Sequence, residues 1–168
     1  MTISKCSVTS TDSLIETLTH GVLMELLIQP SQVPKVWDYV KLAIEASKDV
    51  EGESLSRYLN NLLMNLLSNK AQCFVRLSSE RSVEAVLITR IVADNITGDK
   101  ALMVVTLFIM TGADDEKWEE QFKLVKDFAS KTHCKRIIIR TNNELIINMA
   151  KPRGFKTVYK CLTLNTED

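Results

Sequence analysis

The chain has 168 residues, 45% of them hydrophobic and 25% charged, with Gly and Pro sparse, which fits one globular domain with a real core and excludes disordered and fibrous classes. Its 21 basic and 21 acidic side chains cancel, so no global field draws it to nucleic acid or to an anionic membrane. The four cysteines, Cys6, Cys73, Cys134 and Cys161, are scattered without a CxxC pair, so they read as free thiols of a reducing compartment and not as a zinc or thioredoxin-type site.

The N-terminal stretch MTISKCSVTSTDS lacks the basic flank and apolar run of a signal peptide. The longest apolar stretch, 21 to 29, contains Glu25 and is too short to span a bilayer, so the reading is a cytoplasmic protein without a membrane partner. Residues 1 to 12 are polar, and 14 to 28 fit either a helix or a strand, which leaves the segment 1–30 without an assigned role. From Pro34, apolar Val36, Trp37, Val40, Leu42, Ala43 and Ala46 recur at helical spacing and predict a helix over about 34 to 49. Gly52 breaks it. Leu55, Tyr58, Leu59, Leu62, Leu63 and Leu66 then predict a second amphipathic helix ending near Ser68.

The period now changes to extended. Stretches 73–78, 84–95 and 101–111, separated by SERS and NITGDK, predict three consecutive antiparallel strands. The third is apolar at nearly every position, as expected of a central strand covered on both faces. Trp118, Phe122, Val125, Phe128 and Ala129 mark a helix over about 114 to 131. A strand at 134–141, a short helix at 143–150 and a last strand at 155–164 follow. The predicted order is α-α-β-β-β-α-β-α-β.

That order, read with LVKDFASKTHCKRIIIRTNN and RGFKTVYKCLTL, resembles the GNAT superfamily of acyl-CoA-dependent N-acyltransferases. The long helix ends in the family's Phe-Ala pair at Phe128 and Ala129, Asn143 stands at the family's Asn position, and Gly154-Phe155 matches the closing Gly-Phe. The opening IQPSQVPKVWDYVKLAIEAS is similar to that of the small GNAT-like proteins of tailed phages, which would place the protein in a host cytoplasm or a virion. The resemblance implies an α/β fold over 31–168, a mixed, mainly antiparallel twisted sheet with helices on both faces. That sheet would splay between strands 101–111 and 134–141. It further implies acetyl-CoA as the donor and no metal, with Phe108, Ile109, Met110, Thr111, Gly112 and Asn143 as donor-binding positions and the backbone of 108 to 110 polarising the thioester.

Two departures bear on activity. Where the family carries Arg/Gln-x-x-Gly-x-Gly/Ala to close backbone N–H groups on a pyrophosphate, this chain reads TGADDEKWEE, with Glu116 and Trp118 at the small positions. Asp114 reads best as a helix N-cap, and acids in the first turn of a helix are favoured by its dipole. The family's tyrosine acid is replaced by Ala150, and Tyr159 reads as a packing residue rather than a substitute. His20 and His133 are far apart and suggest neither a metal site nor a triad, and Trp37 and Trp118 read as core. The expectation is an N-acetyltransferase-like protein with a degenerate pyrophosphate loop, acting on an unidentified amine acceptor. Its alternative is a catalytically inactive binding or virion-associated module with a protein partner. The catalytic base and the oligomeric state are not specified by the sequence. Phe155 is expected to be buried, and Gly154 to take a positive φ as the residue after a helix end.

Overall fold

The computed structural model describes residues 24–47, 53–78, 80, 82–94, 96–109, 115–141 and 144–158. Among these residues five strands form one sheet in chain order: β1 (Met24–Ile28), β2 (Gln72–Leu77), β3 (Val83–Ala93), β4 (Lys100–Ile109) and β5 (Arg136–Ile139). The first four pair antiparallel, and β4 pairs parallel to β5. A parallel pair needs a long crossover, and α3 (Asp115–Lys131) supplies it. The remaining helices are α1 (Val33–Ser47), α2 (Glu53–Leu67) and α4 (Glu144–Ala150), with single 3-10 turns at Pro30–Gln32 and Lys151–Arg153.

The predicted helices and the first four predicted strands therefore form within a few residues of their expected bounds. The α/β class holds. Of the ambiguous stretch 14–28, residues 24–28 form β1, whose backbone runs along β2 from Met24 opposite Leu77 to Ile28 opposite Cys73, and 14–23 lie outside the described residues. Of the last predicted strand, residues 155–158 form no strand, and the rest lies outside the described residues.

Strand alternation divides the core between the two faces. Cys73, Val75, Val86 and Ile88 pack with Val33, Val40, Ala43 and Ile44 of α1 and Leu62 and Leu66 of α2. Phe74, Leu87, Leu102 and Val104 pack on the opposite face with Val125 and Ala129 of α3. Phe128 meets Phe74 edge-to-face at 5.1 Å, which explains the aromatic side chain near the end of α3. Two members of the predicted α1 stripe, Leu42 and Ala46, are exposed instead, because Ile44 takes the buried position beside Ala43.

The turn after α3 closes tightly. His133 is exposed with φ 57°, its N–H donates to the Ser130 carbonyl, and the Cys134 N–H reaches back to the Ala129 carbonyl.

Candidate functional site

The site begins with one extra residue in β4. Across the β3–β4 ladder, Ile88 faces Thr106 and Thr89 faces Val104, so Val105 is left as a bulge. The bulge resets the alternation: Val104 and Leu107 lie with the α3-side core, while Val105 and Phe108 lie with the α1-side core. Pairing of β4 with β5 stops at the same place, with Val104 opposite Ile139 as its last register. Beyond it β4 runs on to Ile109 beside β3, the one described strand it still pairs with.

The parting of the strands opens a slot of about 280 Å³ through the sheet. One wall is β4 from Val104 to Phe108, and the other is Ile137, Ile139, Arg140 and Thr141 at the end of β5. On one side α3 contributes Trp118, Gln121, Phe122 and Val125, the i, i+3, i+4, i+7 stripe of a single helix face. From the other side Ala46 of α1 reaches the same space, and Ile146 and Met149 of α4 close it. The lining is mostly apolar. Its polar groups among the described residues are Thr106, Gln121, Thr141, the Trp118 indole N–H and the cation of Arg140.

Two arginines fix the helix that forms the α3 wall. Arg76, 3% exposed on β2, places Nη2 2.7 Å from Glu120 Oε2 and Nε 3.7 Å from Glu84 Oε2. Glu84 can reach it because the β2–β3 register skips that residue, with Arg76 opposite Ala85 and Leu77 opposite Val83. In the same turn of the helix, Arg153 Nε, just past α4, lies 2.8 Å from Glu119 Oε1, an ion pair without hydrogen-bond alignment, and Nη1 donates to the Met149 carbonyl at 2.7 Å. The Arg153 guanidinium also sits 5.1 Å over the Phe122 ring. The Trp118 ring stands 6.2 Å from Phe122, and its buried Nε1 has no hydrogen-bond partner among the described residues. An unmade bond of that kind costs about 1 to 3 kcal/mol.

Neither a protein-family model nor a curated protein matches this sequence. Solved structures do. A probable acetyltransferase superposes with a TM-score of 0.69 at 13% identity, covering 87% of this chain and 99% of the other. A predicted acetyltransferase with acetyl-CoA from Clostridium acetobutylicum superposes with 0.65 at 14% identity, over 86% and 96% of the two chains. An aminoglycoside antibiotic 6'-N-acetyltransferase from Acinetobacter baumannii gives 0.62 at 12% identity, over 88% and 99%. The chain has the GNAT fold.

Within this GNAT fold the expected site residues are distributed unevenly. Phe108 lines the slot and Ile109 ends β4, so the strand that should carry the donor positions does border the opening. Met110, Thr111, Gly112 and Asn143 lie outside the described residues, as do Asp114 and Tyr159. Asp115 and Glu116 form the first turn of α3, and Ala150 is the buried last residue of α4. Trp118 is 7% exposed, as a core reading requires, but it also lines the slot. Sequence reasoning missed Gln121 and Arg140. Gln121 carried a usable signal, since it is the one polar residue on the α3 stripe; Arg140 carried none, because a charge at the end of an apolar strand is ordinarily solvated.

Phe155 requires a correction. It is half-buried rather than buried, its ring 5.6 Å from Phe122, because residues 155–158 leave the turn as irregular chain instead of starting a core strand. Gly154 has φ 89°, as expected, with the Phe155 N–H returning to the Ala150 carbonyl at 3.3 Å. Among the described residues no three His, Cys, Asp or Glu side chains converge as metal ligands would, and no helix is long and apolar enough to cross a membrane.

Proposed function

We propose that this protein is an acyl-CoA-dependent N-acyltransferase that binds the acyl arm of its donor in the slot between β4 and β5. The observation that carries this reading is the bulge at Val105, where β4 leaves β5 and exposes a strand edge to an apolar slot crossing the sheet. Beyond Val104, the N–H and C=O groups on that edge are not taken up by β5, and an extended ligand can add to them as a strand would. The residues present fit the arm of acetyl-CoA: the slot is narrow and largely apolar, and Trp118 Nε1 is a buried donor without a partner.

Bound there, acetyl-CoA would supply an acyl group activated as a thioester. The chain's own part is positional. Trp118, Phe122, Val125, Ile137 and Ile139 exclude water from one end of the slot, which strengthens each hydrogen bond made inside it. The β4 backbone near Phe108 provides donors where negative charge would develop on the carbonyl oxygen. In the transfer, an amine nitrogen forms a bond to the carbonyl carbon, the carbon–sulfur bond breaks, the nitrogen loses a proton and the departing thiolate gains one. No carboxylate, imidazole, thiol or phenol lines the slot among the described residues. The same observation, with Ala150 in place of a tyrosine, favours a second reading in which the slot binds a ligand without turning it over.

Calorimetric titration with acetyl-CoA tests the first step. A dissociation constant below about 100 μM, roughly −5.5 kcal/mol, is the expected result. No heat at millimolar ligand overturns the proposal, and binding without release of free thiol in the presence of amines selects the second reading.

A further inference from the structure

We infer that the acceptor is an amine that also carries a carboxylate, held by Arg140 at the mouth of the slot on the α1 face; this rests on the acyltransferase reading above. Three observations lead there. First, Ile137 and Ile139 pack into the core on the α3 side, so the alternation of β5, continued one residue past its end at Ile139, carries Arg140 toward the face opposite α3, the face from which Ala46 reaches the slot. Second, the guanidinium forms no ion pair or hydrogen bond with any described residue, whereas Arg76 and Arg153 are both engaged. Third, Arg140 is the only charged side chain among the described slot-lining residues.

These facts separate two ends of one passage. A donor entering from the α3 side passes Trp118 and Phe122, and its reacting end meets β4 at the bulge. An acceptor entering from the α1 side meets Ala46, Val105 and Phe108, which are apolar, and one cation. A polycationic amine would find like charge there and no described carboxylate to balance it. An amino acid or a peptide with an apolar body would find both of its requirements. Its carboxylate can bind the planar guanidinium through two parallel hydrogen bonds, an arrangement that also aims the rest of the molecule.

The test compares N-acetylphenylalanine with N-acetylphenylalaninamide as product-like probes, titrated calorimetrically into the full chain with coenzyme A present. They differ only in the carboxylate. The acid is expected to bind at least about tenfold more tightly than the amide, the discrimination of a hydrogen-bonded charge pair. In Arg140→Gln that preference disappears, and in Arg140→Lys part of it returns. Equal binding of acid and amide to the wild type, or binding of neither, overturns the inference. An Arg140→Gln variant that weakens coenzyme A while leaving the acid preference intact overturns it too, because the cation would then serve a phosphate of the donor. The acyltransferase reading fails separately: selective binding of the acid, with no acetylation of phenylalanine from acetyl-CoA, leaves the carboxylate site standing and removes the reaction.

Discussion

Gly154 shows how one residue can be read from sequence and confirmed in geometry. It follows a short helical turn containing Pro152, takes φ 89°, and a Cβ placed there would meet nothing within 4 Å. The constraint is therefore backbone conformation and not space. Gly154→Ala should cost about 1 kcal/mol, the usual penalty for an L residue held in the left-handed region, measurable as a lower urea midpoint with an unchanged slope. Phe155 beside it is only half-buried, so Phe155→Ala should cost about 1 to 2 kcal/mol instead of the 3 to 5 typical of a core phenylalanine. A larger loss would place the ring deeper than the structure does.

Cys73 allows a prediction about pH. Burial pushes its thiol up to about 12, so the folded protein keeps a proton that the unfolded chain releases near the ordinary thiol value of 9.0. The unfolded state then binds fewer protons, and stability falls as pH rises between those values, by up to about 1.4 kcal/mol per pH unit from this group. Cys73→Val should flatten that limb in urea titrations at pH 9 to 11. An unchanged slope would show that the thiol is not desolvated.

At the scale of elements, the arginine clamps decide how α3 sits on the sheet. Arg76 is nearly inaccessible, while Glu120 is half exposed and Glu84 mostly covered. Removing the cation leaves Glu84 partly buried with its counter-charge gone, and a change of that kind costs about 3 to 5 kcal/mol when the pair is fully buried. The exposure of Glu120 puts Arg76→Ala at the lower end of that range. A double-mutant cycle with Glu120→Ala should return a coupling of at least about 1 kcal/mol; a value near zero would show that the 2.7 Å contact contributes only geometry.

The ambiguity of β1 in the sequence has a physical cause. Its residues MELLI alternate too weakly to separate a strand from a helix, and what settles them is the open edge of β2 beside them. The α1, α2 and α3 stripes needed no such help, because each repeats over three or more turns.

At the scale of the molecule, the question is whether a slot of GNAT shape still holds a nucleotide-bearing donor. Asp115 and Glu116 open α3, and the sequence there reads acids at 114 to 116 where a phosphate-binding turn would carry glycines. A phosphate brought within about 4 to 6 Å of one such carboxylate, with an effective dielectric between about 20 and that of water, would be disfavoured by about 1 to 3 kcal/mol. Replacing Asp114, Asp115 and Glu116 together by Gly or Arg should therefore tighten coenzyme A binding, with a gain that shrinks as salt rises. Affinity unchanged at low salt would remove repulsion as the cause.

What the sequence determined by itself was the order and type of most elements, and the absence of a glycine-rich turn before α3. Those are local matters, written in periodicity and in residue identity. Only the tertiary structure decided where β4 leaves β5, that the extra residue in β4 is Val105, and that Gln121 and Arg140 share a slot with Ala46, some 75 or more positions earlier in the chain. A bulge has no signature inside an unbroken apolar run, since it exists only as a mismatch between two strands. A slot likewise belongs to no segment: it is the space left when a sheet with a right-handed twist parts between two strands and helices from both faces close over the gap.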